Sequence, residues 1–355
     1  MAHELLLRLL MKFPLRYAIV LFFSFLWSAC GAAAVEITPD GAVVDTSGPV
    51  DWYQGLASSL ATDETYLFVG AGDTLISIRH DNQATKTLFS VPLGMANEDN
   101  IISEIYPAGL NVIVAVLIER VNLTPPSIEQ RRQLWTVPIT GGPATLHFES
   151  LDPREFLGVA TLDDFIYYSS FTALLKMPIA GGPTRFVAES PNDTQYWVLT
   201  PTIFQSNIFW AEGASIFVKS LLDAGEKGSL VATFATYDFN PLSLVPSEPG
   251  KALVNINGPL TTSIATIDLA QGRVVGPTVD LGVRAPKMAL TSGAIWAITW
   301  DGLLYRFGRD GTNGIMVSDG VVGDAGKSRF KKRGLATHGN FAYAASSIKV
   351  VRFAQ

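Results

Sequence analysis

The chain has 355 residues, of which 48% are hydrophobic and only 16% charged, with a formal net charge of −6 and a single cysteine. That balance excludes a disordered, highly charged tail protein and gives no basis for nucleic-acid binding. One cysteine also excludes a disulfide framework, so stability must come from packing and strand pairing.

At the N-terminus, Arg8, Lys12 and Arg16 precede an apolar stretch over 18–29, followed by small residues at 31–34. This is the order of a secretory signal peptide, and the stretch falls short of the roughly 20 apolar residues that span a bilayer. Met11 offers an alternative start. Ala32-Ala33-Ala34 supplies an A-x-A cleavage site that leaves Val35 as the first mature residue. Ser28-Ala29-Cys30-Gly31 also resembles the end of a bacterial lipobox, in which Cys30 would be acylated, with Trp27 standing where that pattern has an aliphatic residue. Simple cleavage and lipid anchoring both stand. The chain thus divides into a signal at 1–34 and one domain at 35–355.

Past the signal a single grammar recurs: a short strand of small residues, a polar turn, an apolar-aromatic strand, a third strand, a tight turn and a fourth strand. Thr62-Asp63-Glu64 leads into Tyr66-Leu67-Phe68-Val69, and 75–79 follows as a third strand. The best-defined unit has strands at 156–161, 165–169, 173–179 and 184–188, with turns at Leu162-Asp163-Asp164 and Ala180-Gly181-Gly182. Gln205-Ser206-Asn207, Thr291-Ser292-Gly293 and His338-Gly339-Asn340 open equivalent strands, and a more diverged unit lies near 240–281. Alternating apolar positions with Gly, Asp and Asn between them are strand and turn signals.

The phrase Pro138-Ile139-Thr140-Gly141-Gly142-Pro143 returns as Pro178-Ile179-Ala180-Gly181-Gly182-Pro183 at an offset of 40 residues. A period of roughly 40–50 residues is that of propeller blades. The expected fold is therefore all-β: a β-propeller of seven four-stranded blades. The last blade runs out of chain after three strands. A strand at 41–46, with Val43-Val44 at its centre, is expected to complete it and close the ring. The strands Ile166-Tyr167-Tyr168-Ser169 and Ile208-Phe209-Trp210-Ala211 resemble worn YWTD strands. With the Pro-hydrophobic-x-Gly-Gly turns, they make the chain similar to extracytoplasmic bacterial propellers of the YWTD, NHL and TolB-like groups. That resemblance implies a fold and an exported location, periplasmic or secreted, and carries no functional residues.

Chemistry is harder to find. His80, His147 and His338 fall in three different blades and read as turn or surface residues; no metal, cofactor or catalytic residue is assigned. There is no G-x-S-x-G elbow, and the Gly-Gly pairs lack the Lys-Ser/Thr of a phosphate loop. Gly72-Asp73-Thr74 and Asp310-Gly311-Thr312 read as structural turns, with too few carboxylates for calcium. Trp135, Trp210 and Trp296 lie inside strands and are expected to be buried between blades. The segment 122–131, containing Pro125-Pro126, breaks the period by lengthening the connection between the second and third strands of the second blade. It is expected to lie on the face where propellers bind. The candidate binding residues are Asn122, Arg131, Arg132, Trp197 and Trp300. The expected activity is a monomeric protein-, small-molecule- or glycan-binding scaffold of the cell envelope, touching the membrane only through a lipid on Cys30. The alternative is a metal-dependent enzyme similar to lactonase or lyase propellers, with its site at the ring axis.

Overall fold

The structure is a computed structural model that describes residues 35–37, 43–45, 48–92, 94, 97–123, 126–151, 158–170, 173–189, 198–225, 227–234, 243–299, 301–319, 334–345 and 348–355. The leader and Cys30 lie outside them. Two strands near the N-terminus, β1 (Val35–Ile37) and β2 (Val43–Asp45), form an antiparallel hairpin belonging to a separate unit.

The large unit begins with β3 (Val50–Gln54). Seven four-stranded antiparallel sheets account for the rest of the described strands. The first is β4 (Ser59–Thr62), β5 (Tyr66–Ala71), β6 (Thr74–Arg79) and β7 (Thr85–Ser90). The second is β8 (Glu98–Ala108), β9 (Asn111–Leu123), β10 (Pro126–Pro138) and β11 (Thr145–Ser150). The third is β12 (Val159–Leu162), β13 (Phe165–Ser169), β14 (Ala173–Pro178) and β15 (Arg185–Glu189). The fourth and fifth are β16 (Val198–Phe204), β17 (Asn207–Glu212), β18 (Ser215–Ser220) and β19 (Ser229–Thr233), then β20 (Ser243–Glu248), β21 (Lys251–Asn257), β22 (Thr262–Asp268) and β23 (Arg273–Asp280). The sixth is β24 (Lys287–Leu290), β25 (Ala294–Ile298), β26 (Leu304–Gly308) and β27 (Ile315–Ser318). The seventh is β28 (Leu335–His338), β29 (Phe341–Ala345) and β30 (Lys349–Ala354), with β3 as its fourth strand.

The closing strand is therefore 50–54 and not 41–46. Val50 pairs with Arg352 and Gln54 with Lys349, whereas Val43 pairs with Ile37. Packing decides the choice. Trp52 is buried, meets the Tyr343 ring edge-on at 5.7 Å, and carries the Arg352 guanidinium 4.3 Å from its ring centroid.

The core is a set of apolar layers between neighbouring blades. Phe68 and Leu75 of the first blade pack with Val114 and Trp135 of the second. Trp210 packs with Tyr167 and Leu174 of the third blade, and Trp296 with Leu335 and Phe353 of the seventh. The last layer joins Leu67 and Ile78 of the first blade to Trp52, Tyr343 and Val350 of the seventh, which makes the arrangement a ring. Threonines stitch the inner strands: Thr62 Oγ1 donates to the carbonyl of Thr337, and Thr337 Oγ1 to that of Leu290, both at 2.6 Å. In the two repeated turns, Gly141 (φ 82°) and Gly181 (φ 93°) hold a left-handed backbone that a side chain would strain.

Candidate functional site

One blade departs from the common dimensions. β9 and β10 run 13 residues each, against five and six for β13 and β14 of the next blade. Their register is continuous from Asn111↔Pro138 to Leu123↔Pro126. At about 3.4 Å per residue, the extra rungs carry this hairpin on the order of 20 Å past its neighbours. The segment 122–131 is thus mostly ladder and not loop. Cross-strand pairs extend it: Arg120 lies 3.8 Å from Glu129, Gln130 Nε2 donates to Glu119 Oε1 at 2.6 Å, and Asn122 Nδ2 donates to Ser127 Oγ and Glu129 Oε1.

Strand alternation sorts the candidate residues onto opposite faces. Arg131 shares a face with Trp135, toward the first blade. Its Nη2 donates to both oxygens of Glu98 at 2.9 Å, and its Nη1 to Glu149 Oε1 at 3.0 Å. Gln133 Nε2 donates to Glu149 Oε2, and the Trp135 indole N–H to Gln133 Oε1. Arg131 and Asn122 are therefore committed to a network that holds the hairpin straight.

Arg132 faces the third blade, alongside Leu134, Gln130 and Ile128. It is only 6% exposed, and its Nε and Nη1 are buried without a hydrogen-bond partner. Burial lowers its pKa while the nearby Tyr106 opposes the shift. The Tyr106 hydroxyl donates to Glu104, and burial pushes that phenol well above its ordinary range. Farther out on the same face, Val121 and Ile128 stand directly opposite each other and are 47% and 66% exposed. β11 ends at Ser150, opposite Arg132, so among the described residues no strand covers the outer edge of β10 over 126–131. Trp197 and Trp300 lie outside the described residues.

Sequence reasoning missed a second association. His80, just after β6, and His338, at the end of β28, stack across the junction of the first and seventh blades, with centroids 4.0 Å apart. His80 Nε2 lies 3.2 Å from the carbonyl of Asp63, and Nδ1 lies 3.2 Å from the Tyr343 hydroxyl. Both histidines follow strands at the same end of adjacent blades once the ring closes, a signal hidden while they are read as separate turns. The repeated Pro-Ile-x-Gly-Gly phrase forms, in the second and third blades, the same third-to-fourth-strand turn that holds His80 in the first. Pro138, Pro143, Pro178 and Ile179 border a groove of about 530 Å³ between the second and third blades. Among the described residues no three His, Cys, Asp or Glu side chains come close enough to hold a metal. The Asp310 carboxylate is spent on its own turn, accepting from the Thr312 N–H and hydroxyl.

No family model matches the chain, and the search of curated proteins finds no match. Solved structures do match. The computationally designed Ika8 protein aligns with a TM-score of 0.51 at 11% identity, over 85% of this chain and 97% of that one. Sqt1 of Saccharomyces cerevisiae gives 0.53 at 9%, over 87% and 98%. A chain of the mitotic checkpoint complex gives 0.52 at 10%, over 92% and 97%. The fold is a β-propeller. These neighbours include WD40-type propellers, and at such identities the likeness concerns the architecture alone.

Proposed function

We propose that this propeller is a binding module that recognises a protein partner through the projecting hairpin of its second blade, and that it works as an exported component of the cell envelope. The observation that carries the reading is the hairpin itself. It leaves the ring and ends in the exposed Val121 and Ile128 pair, where the other blades turn back. Exposed apolar groups held on a rigid ladder gain burial from a partner at little ordering cost. The basic, apolar and small-residue order of 1–34 supports export.

The test replaces 119–130 with an Asn-Gly turn joining Ile118 to Arg131, which are cross-strand partners. The shortened protein keeps its ring and a melting temperature within about 3 °C of the parent. Chemical crosslinking in envelope fractions recovers a partner with the parent protein only. Equal recovery with the shortened protein overturns the reading. Intact mass tests the location: a species beginning at Val35 without lipid excludes the tether, whereas an acylated Cys30 establishes it.

A further inference from the structure

A buried cation without a counter-charge is costly, because the guanidinium loses its hydration and gains no acceptor in return. Among the described residues Arg132 is in that position: 6% exposed, with Nε and Nη1 unpartnered, while Arg131 beside it in sequence has two carboxylates. Tyr106 acts on its charge, and the Tyr106 hydroxyl is directed to Glu104. Such an orphaned group in a native fold calls for an explanation beyond stability.

Three features of the same ladder supply one. Arg132, Gln130 and Ile128 follow at alternate positions, about 6.8 Å apart, which is the spacing of side chains on one face of an extended strand. Ile128 is exposed beside Val121. The β10 edge from 126 to 131 has no partner strand among the described residues, so its backbone N–H and C=O groups can accept one.

We infer that β10 is a strand-addition site for an extended peptide segment of the partner, one that carries a carboxylate to the Arg132 guanidinium and an apolar residue to Val121 and Ile128. The inference rests on the hairpin reading above and names the partner's chemistry. The peptide's backbone extends the second blade's sheet at its outer edge, and alternate side chains fall on the Arg132 face. A carboxylate drawn onto Arg132 forms charge-assisted hydrogen bonds in a poorly hydrated place, where they count for more than at an open surface. Glu119, on the same face, has its Oε1 occupied by Gln130.

The experiment uses the whole mature protein and two capped peptides. One has the sequence Ser-Glu-Thr-Gln-Thr-Val-Thr-Ser, which puts its carboxylate and its valine four residues apart on one strand face, as Arg132 and Ile128 are; its twin has lysine in place of the glutamate. Fluorescence anisotropy is expected to show at least tenfold tighter binding of the acidic peptide. Arg132→Met keeps the aliphatic stem and removes the charge. It is expected to abolish that preference and at the same time raise the melting temperature. Ile128→Ser weakens binding of both peptides without changing their ratio. A lowered melting temperature in Arg132→Met shows that the guanidinium is a structural element and overturns the inference, as does equal binding of the two peptides. If shortening the hairpin loses the crosslinked partner while Arg132→Met retains it, the hairpin reading survives and the strand-addition site falls.

Discussion

Where the first and seventh blades meet, the rings of His80 and His338 lie within 6° of parallel. The carbonyl of Asp63 can only accept, so His80 Nε2 carries the proton and Nδ1 accepts from the Tyr343 hydroxyl. Burial pushes that phenol up to about 12, which keeps it a donor. His80 is thereby satisfied in its neutral form. Burial, and after it the charge of His338, lowers its pKa below the usual 6.5, with Asp63 pulling weakly the other way. Among the described residues the charges at this seam include the Arg352 guanidinium over Trp52 and Phe341, the exposed Arg79–Asp81 pair and the Lys349–Asp51 pair. A base made weaker by folding is protonated more readily in the unfolded chain, so acid favours unfolding. The stabilising contribution of neutral His80 is whole above its unfolded pKa of about 6.5 and is lost as pH falls below it, toward the lower folded value. The melting temperature should therefore hold above pH 7.5 and decline between pH 6.5 and 5. His80→Phe keeps a ring in the stack and should flatten the decline by on the order of 1–2 °C; His147, also lowered by burial, supplies part of what remains. Melts across that pH range with identical slopes for parent and variant would refute this.

At the scale of elements, β3 has the greatest leverage, since it supplies the fourth strand of a sheet whose other three come from the opposite end of the chain. Trp52→Ala removes its buried anchor and should cost about 3–5 kcal/mol, measurable by denaturant unfolding. A loss below about 1 kcal/mol would mean that the strand is held by its ladder alone. The sequence misled here because strand propensity depends on what a strand packs against. Val43-Val44 has the stronger local signal, while Trp52 owes its place to Tyr343 and Arg352, invisible to any local window. By contrast, β13 was legible because Phe165-Ile166-Tyr167-Tyr168-Ser169 carries its own pattern between clear turns. The hairpin lay between these cases. Pro125-Pro126 reads as a lengthened connection, and on that reading Arg131 and Arg132 both stand as candidate binding residues. Strand alternation instead sends one into a salt-bridged network and buries the other with its Nε and Nη1 lacking a partner among the described residues. Neither outcome could be read from composition, since both depend on the cross-strand register.

For the whole molecule, each blade presents both faces to neighbours, so no blade buries its core alone and the ring has to close for the set to be stable. The closing junction holds Leu67, Ile78, Tyr343 and Val350 in one apolar layer, the Thr62 to Thr337 hydrogen bond, and the Lys349 ammonium 2.6 Å from Asp51 on the last strand pair. Two truncations separate the contribution of this closure from that of the N-terminal residues before it. Starting the chain at Gly48 retains β3 through β30, and the protein should unfold in a single transition. Starting it at Leu56 deletes β3, leaves the backbone groups of β30 without their outer partner, and uncovers Tyr343, which is 1% exposed in the closed ring. That protein should melt at least 10 °C lower, on the reasoning that Trp52 alone is worth several kcal/mol and a large domain shifts about 2–4 °C for each. It should also self-associate as concentration rises, because an exposed strand edge pairs with any other available. Calorimetry and sedimentation velocity on the two chains give the answer: matching melting temperatures, with both chains monomeric, would show that the seventh sheet does not need its N-terminal strand.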